Sequence, residues 1–452
     1  MKKISHDSYK SINRKRVFVM SDVLSEILRD VPIPKMVRVR QRQAEESLPP
    51  ERIPEAVEAL FTQRGFGDAV RPGMRIAITA GSRGIANIAL IVKSIASSVK
   101  ARGGLPFVAP AMGSHGGATA AGQAEVLAHY GITEEACGCP VRSSLEVKTV
   151  ARDGGGRPVM IDRLAAESDG IIVAARIKPH TNFVGAYESG LLKMMVIGLG
   201  NHLGAQAGHA MGIENFPEVL PDWGKRILEN APVLFGVAIL DNTVHETAEL
   251  VGVLPEDFLD REPQLLARAR ELMPRLYFRD YHVLVVDRIG KDISGSGMDP
   301  HVSGSFNTEY MRKNSGVYRA RNIAVLDLTD ESGHNGYGVG DADVTTRRLW
   351  DKVDLEISYP NAVISNCLCS AKIPVIMAND RLAIQACLKC CVGVDPAKAG
   401  LVRILDTLHV KDVLISESLL PQAEALDEVT VLGPAFPMEF DANGNLLTGF
   451  SD

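Results

Sequence analysis

The chain has 452 residues, a formal net charge of −6 and a pI near 6.0, so nothing in its charge calls for a nucleic-acid partner. Hydrophobic residues make up 46% and charged residues 23%, the balance of a globular chain long enough for two or three domains. No run approaches the roughly 18 apolar residues of a membrane span. The opening MKKISHDSYKSINRKR lacks the apolar centre of a secretory signal, and a cytoplasmic chain with no membrane partner is expected.

Taken along the chain, the elements alternate. PPERIPEAVEALFTQRGFGDAV reads as a helix: prolines mark its start, and Ile53, Ala56, Ala59 and Leu60 follow a helical period. MRIAITAG is a short strand ending in the loop Gly81–Ser82–Arg83–Gly84, and IANIALIVKSIASSVKARGG is the helix after it. LPFVAPAMGSHGG repeats the plan, with a loop holding His115 and a helix from about Gln123 to Tyr130. GIIVAA, residues 170–175, is a buried-type strand that leads into RIKPHTNF. Strands alternating with helices predict a parallel sheet with crossover helices, whose ligand site lies beyond the carboxyl ends of the strands. Arg83, His115 and His180 each fall there.

A second unit begins at about 275–280, dividing the chain into 1–277 and 278–452. YHVLVVD is its first strand, followed by the glycine- and serine-rich loop IGKDISGSGMDPHVSGSF. RNIAVLDLTD, NAVISN, IPVIMAND and DVLISES read as further short strands, and DRLAIQACLKCCVG as a helix between them. The last residues, from Val429, read as a short β segment with a loose end. The fold class is α/β: two α/β domains with largely parallel sheets and a cleft between them.

GLLKMMVIGLGNH places Lys193 inside an apolar run. A charged ammonium is rarely buried without a partner. Either Lys193 snorkels at a helix surface, or its charge is removed by a neighbour or a covalent bond, which avoids a desolvation cost of several kcal/mol. A lone histidine is more often structural than functional, and His6, His129, His245, His282 and His409 are read so. His115 stands apart because SHGG places it on a glycine-flanked loop, and His180 because Pro179 sets the chain extended before it. The seven cysteines, Cys137/Cys139, Cys367/Cys369 and Cys387/Cys390/Cys391, fit reduced thiols. Their spacing lacks the paired CxxC…CxxC pattern of a strong metal site. No GxGxxG opens a helix after the first strand, which argues against a dinucleotide site.

The constellation Arg83, Gly113–Ser114–His115, Pro179–His180, Lys193 and His209 resembles the nickel-pincer lactate racemase family over roughly residues 70–215. That resemblance implies a nickel-pincer nucleotide (nickel pyridinium-3-thioamide-5-thiocarboxylic acid mononucleotide) tethered to Lys193 through a thioamide. It implies nickel ligation by His209 in AGHAMG, with His202 in reserve, and a catalytic histidine on each face of the substrate, His115 and His180. Arg83 would hold the substrate carboxylate or polarise the transient carbonyl. Read from the residues themselves, the glycine loops holding Ser82, Gly113 and Ser114 offer backbone N–H groups to the cofactor's phosphate, and Lys291 and Ser294 in the loop GKDISGSGMD are expected to bind the substrate's carboxylate or hydroxyls from the second domain. The activity implied is racemisation or epimerisation of a 2-hydroxyacid by hydride transfer. The partners implied are that small acid and cofactor-biosynthesis proteins, and a homo-oligomer of unspecified order is compatible. The chain departs from the family where an aspartate and a threonine usually precede the arginine, since Gly81 and Ser82 stand there. The spacing from His180 to Lys193 also looks a few residues longer than in lactate racemases. Both departures bear on the substrate, whether lactate-like, malate-like or a sugar acid. Two alternatives remain at this point: an iron–sulfur hydroxyacid lyase or dehydratase on the clustered cysteines, and a non-catalytic metal- or nucleotide-binding relative.

Overall fold

The structure is a computed structural model that describes residues 20–82, 84–364 and 367–450. Arg83 therefore lies outside the described residues. Strands, and the helices used below, are numbered along the chain. No described helix is long and apolar enough to cross a membrane.

The chain divides into two compact units, one drawn from Met1–Gln43 with Pro274–Asp452 and the other from Ala44–Met273. This corrects the linear division at 277. Strand β1 (Met36–Gln41) belongs to the sheet of the C-terminal unit, where it pairs antiparallel with β14 (Asp412–Ser416) and β15 (Val429–Val431). Its alternating MVRVRQ buries Val37 and Val39 in the core formed by that unit. The physical cause is ladder pairing with strands almost 400 residues away, which local pattern does not announce.

The unit from Ala44 to Met273 is built on a five-stranded sheet. Its strands β2 (Arg75–Ala80), β3 (Leu105–Pro110), β6 (Gly170–Arg176), β7 (Val233–Asp241) and β8 (Thr247–Val253) stand in the order β3-β2-β6-β7-β8. The first four are mutually parallel and β8 is antiparallel. β6 reads GIIVAAR and is buried along almost its whole length, as expected of a parallel strand covered on both faces. Helix α1 (Ile88–Ala101) buries Ile88, Ile91, Val92, Ile95 and Val99, a helical stripe that joins the core of β2 and β6. Each such side chain contributes about 1.5–3 kcal/mol on burial. β4 (Val147–Arg152) and β5 (Pro158–Asp162) form a separate hairpin. Further helices of this unit are α2 (Ala120–His129), α3 (Asn201–His209), α4 (Phe216–Asn230) and α5 (Phe258–Leu272).

The other unit carries an eight-stranded sheet in the order β12-β11-β10-β9-β13-β14-β1-β15. β9 (Val283–Ile289), β10 (Asn322–Leu328), β11 (Val344–Thr346), β12 (Val375–Met377) and β13 (Leu401–Ile404) are parallel. NAVISN is not a strand: its first four residues close helix α6 (Leu355–Ile364). The β-branched residues there suggest a strand locally, but helix context from Leu355 onward overrides so short a preference. Helix α7 (Asp380–Lys389) buries Leu382, Ala383, Ile384, Ala386, Cys387 and Leu388 against the sheet core.

Candidate functional site

β2, β3 and β6 run parallel, so their carboxyl ends share one edge of the sheet in the unit from Ala44 to Met273. Ser82 follows β2, Gly113, Ser114 and His115 follow β3, and His180 follows β6. The loops are tied to one another. His115 Nδ1 is hydrogen-bonded to Ser82 Oγ, and Tyr130, at the end of α2, donates its hydroxyl to Ser82 O at 3.2 Å. Gly113 N donates to Gly198 O at 3.0 Å, and Gln123 of α2 donates to Gly113 O at 3.0 Å. Gly113 is needed where it stands. Its φ is +59°, and a Cβ there would meet Ala205 Cβ at 3.1 Å and Ile197 O at 3.2 Å. The loop beyond it passes through Gly116 and Gly117 to Thr119, whose hydroxyl accepts from Gly122 N at 3.1 Å and caps α2. Ser114 and His115 are exposed.

Lys193 ends a short helical turn, Leu191–Lys193, which passes directly into a wider turn over Met194–Gly198. There Leu199 N donates to Met194 O at 2.8 Å, five residues back. Such π-type turns recur at functional sites. The first turn is held from α5. Glu262 Oε2 accepts from Leu192 N at 2.9 Å, answering one of the N–H groups a helix start leaves open. Burial raises the Glu262 pKa to about 7, against the lowering effect of its bonds to Leu192 and Leu191. A Cβ on Gly190 would stand 2.3 Å from Glu262 Oε1, so the carboxyl reaches the turn only because position 190 has no side chain.

His180 is held in the same way. Its N–H donates to Glu188 Oε2 at 2.5 Å, and Asn182 N donates to His180 Nδ1 at 3.1 Å. With Nδ1 accepting, the neutral ring carries its proton on Nε2. Glu188 is buried, and its other oxygen takes Arg270 of α5 at 2.6 Å. Tyr187 donates to Leu259 O at 2.8 Å. Three bonds thus fasten residues 187–192 to α5.

Aromatic side chains bring the predicted residues together. His180 stacks 4.4 Å from Phe183, Phe183 meets Phe216 at 5.3 Å, and His209 lies 5.4 Å from Phe216. Lys193 Nζ sits 6.0 Å from the Phe183 centroid, at the outer limit of a cation–π contact. His209 Nδ1 bonds Ala205 O at 2.7 Å. Its pKa falls below the ordinary imidazole value, first through burial and then through the charge of Lys193, while the bond to Ala205 opposes both. His209 therefore favours the neutral form with Nε2 free, although part of the side chain is open to solvent. His202 lies exposed on the first turn of α3.

A neutral imidazole whose Nδ1–H is bound to a carbonyl is the usual arrangement of a metal-ligating histidine. Among the described residues no three His, Cys, Asp or Glu side chains gather to hold a metal ion. His209 and Lys193, which feel each other's charge, offer an imidazole and an amine, and such a pair suits a metal that brings its other ligands on an organic group. Among the described residues no thiols gather in the number that holds an iron–sulfur cluster. Cys137 and Cys139 are core residues of one unit, and Cys387 and Cys391 of the other.

Lys291 and Ser294 belong to the other unit, in the loop after β9. Lys291 Nζ donates to Gly295 O at 2.6 Å and lies 4.3 Å from the centroid of Tyr337. Ser294 Oγ is 3.2 Å from Ser296 Oγ. β9 lies between β10 and β13, where the winding of the sheet reverses. His409, read from sequence as structural, stands at that edge with Nδ1 2.7 Å from the buried Asp406. Sequence reading also missed Phe183, Phe216, Glu188 and Glu262. The two phenylalanines look like ordinary core residues, and neither acid sits in a motif.

Residues 26–218 match the family model described as the lactate racemase N-terminal domain. No curated protein matches the chain. Among solved structures, the lactate racemase apoprotein from Thermoanaerobacterium thermosaccharolyticum is similar at 12% identity and a TM-score of 0.52, covering 82% of this chain and 99% of that one. A crystal structure of a protein from Thermotoga maritima is similar at 12% identity and a TM-score of 0.47, with the same coverage of 82% and 99%. The likeness to the solved racemase is one of α/β fold, and residues 26–218 are similar to the lactate racemase N-terminal domain.

Proposed function

We propose that the protein is a racemase or epimerase of a 2-hydroxyacid that works with a nickel-pincer nucleotide held by Lys193 and His209. The observation that carries the reading is the aromatic seam His180–Phe183–Phe216–His209 with Lys193 over Phe183. It gathers a base, an amine and a metal-competent imidazole at one sheet edge. When bound, the nucleotide supplies the hydride acceptor that no side chain provides.

The chain's own residues would supply the proton chemistry and the positioning. His115, with Nδ1 engaged by Ser82, can present Nε2 to a substrate hydroxyl and take its proton. His180 starts with its proton on Nε2 and can donate it to the carbonyl oxygen of the 2-oxoacid as that oxygen becomes a hydroxyl again. Inversion needs a proton-transfer group on each face, and the two histidines stand on different loops for that purpose. Gly113, Ser114 and Ser82 supply backbone and hydroxyl donors beside α2, whose N-terminus favours an anion such as the nucleotide phosphate. Arg83 would pair with the substrate carboxylate.

The test is co-expression with cofactor-making enzymes, followed by intact-mass and metal analysis. The expected result is an adduct on Lys193, about one nickel per chain and turnover of a 2-hydroxyacid. Racemisation in heavy water should leave C2 unlabelled, because the hydrogen returns as hydride. Rapid solvent deuterium at C2 overturns the hydride mechanism, and an adduct without turnover on a hydroxyacid panel favours a non-catalytic relative.

A further inference from the structure

Far from these residues in sequence, and in the other unit, Cys367 and Cys369 bracket an exposed Leu368. Their Sγ atoms are 3.3 Å apart and unbonded. Ser370, fully buried, has its Oγ 3.5 Å from Cys367 Sγ and 3.2 Å from each carboxylate oxygen of Asp341. Asp341 is itself buried. Asn307, in the orientation that satisfies its amide, donates to the two Asp341 oxygens at 2.6 and 3.0 Å. The Asn307 carbonyl accepts from Cys369 Sγ at 3.1 Å. The route Cys367–Ser370–Asp341 is thus continuous, and it leads from a thiol to a carboxylate.

We propose that Cys367 and Cys369 form a reversible dithiol/disulfide couple, with Ser370 and Asp341 carrying the thiol proton away from Cys367. The inference does not depend on the racemase reading. Cys369 is the more exposed sulfur, and it meets a low-molecular-weight disulfide first. Its sulfur bonds to one sulfur of the reagent, and the other leaves as a thiol with the Cys369 proton. Cys367 then passes its proton through Ser370 to Asp341, and its sulfur attacks Cys369 Sγ. The second reagent thiolate departs and is protonated from Asp341. Two protein thiols are oxidised, one small disulfide is reduced to two thiols, and the carboxylate is regenerated. Burial raises the Asp341 pKa to about 7, so the group accepts and returns a proton near neutral pH. Closing the bond needs the sulfurs to approach by only about 1 Å.

The experiment is titration of the native full-length chain with glutathione buffers of increasing oxidised fraction, then alkylation, non-reducing tryptic digestion and mass spectrometry. The fragment between Lys352 and Lys372 contains these two cysteines and no other. The expected result is a loss of 2 Da within that fragment, reversed by reduced glutathione. Cys367→Ser should accumulate a stable glutathione adduct on Cys369. Ser370→Ala and, independently, Asp341→Asn should slow ring closure at least tenfold while leaving adduct formation on Cys369 unchanged. A fragment that stays reduced in the most oxidising buffer overturns the couple, as does a wild-type glutathione adduct that never resolves. Closure at the wild-type rate in both relay variants overturns the proton route.

Discussion

Arg270 and Glu188 meet at 2.6 Å, the arginine half in solvent and the carboxylate almost wholly out of it. The second oxygen of that carboxylate holds the His180 backbone. One ion pair on α5 thus fixes the height at which a proposed catalytic histidine stands. Removing the arginine leaves a buried charge uncompensated. Arg270→Ala should lower stability by about 2–4 kcal/mol, read from the urea midpoint, and should cut kcat more than it raises KM. A stability loss within about 0.5 kcal/mol, the scale of an ordinary surface change, would contradict this.

Glu262 gives the pH dependence its sign. Its folded pKa, about 7, lies above the ordinary carboxylate value because the group is buried. Between those values the folded state holds a proton that the unfolded chain has released. Stability from this group is therefore full below the ordinary carboxylate pKa and is lost as pH rises towards 7. Glu262→Gln mimics the protonated form. It should match wild type near pH 4.5 and exceed it by up to about 3 kcal/mol at pH 8, measured by denaturant unfolding at both values.

Gly113→Ala should strain the loop twice, through its positive φ and through the contacts at 3.1 and 3.2 Å with Ala205 and Ile197. The expected cost is about 1–3 kcal/mol, with weaker nickel retention by the loaded protein, followed by dialysis and metal analysis. Unchanged stability and retention would show that the loop has room to move.

His115→Gln should lower kcat by roughly 10²–10⁴-fold, the usual worth of a positioned base. Ser82→Ala, which releases Nδ1 of that ring and removes one hydroxyl from the proposed cofactor cradle, should cost no more than about tenfold. Initial rates with the racemised acid decide it, and equal losses in the two variants would contradict the assignment.

The α/β character was legible because β6 reads GIIVAAR and β2 reads RIAITA between helical stripes. That His115 and His180 lie beyond the carboxyl ends of β3 and β6 was legible because each follows a strand of the parallel type. What escaped depends on pairing or packing at long range. β1 joins strands near the other end of the chain. The acids that hold His180 and the Lys193 turn act through backbone N–H groups, and a sequence does not show which N–H a carboxylate will meet. The relation of Phe183 to Phe216 arises only when the loop after β6 folds against α4. NAVISN, read as a strand, lost to the helix it terminates.

The place of β1 sets an order of events during synthesis. Residues 44–273 hold all the strands of their own sheet and can fold as soon as they leave the ribosome. β1 is made before them, yet both of its neighbours, β14 and β15, emerge last. At cellular elongation rates it waits on the order of half a minute, a nascent segment with exposed valines and unmet backbone groups. A chaperone that engages this protein co-translationally should therefore hold the segment around Val37 and Val39 until the end of translation releases it.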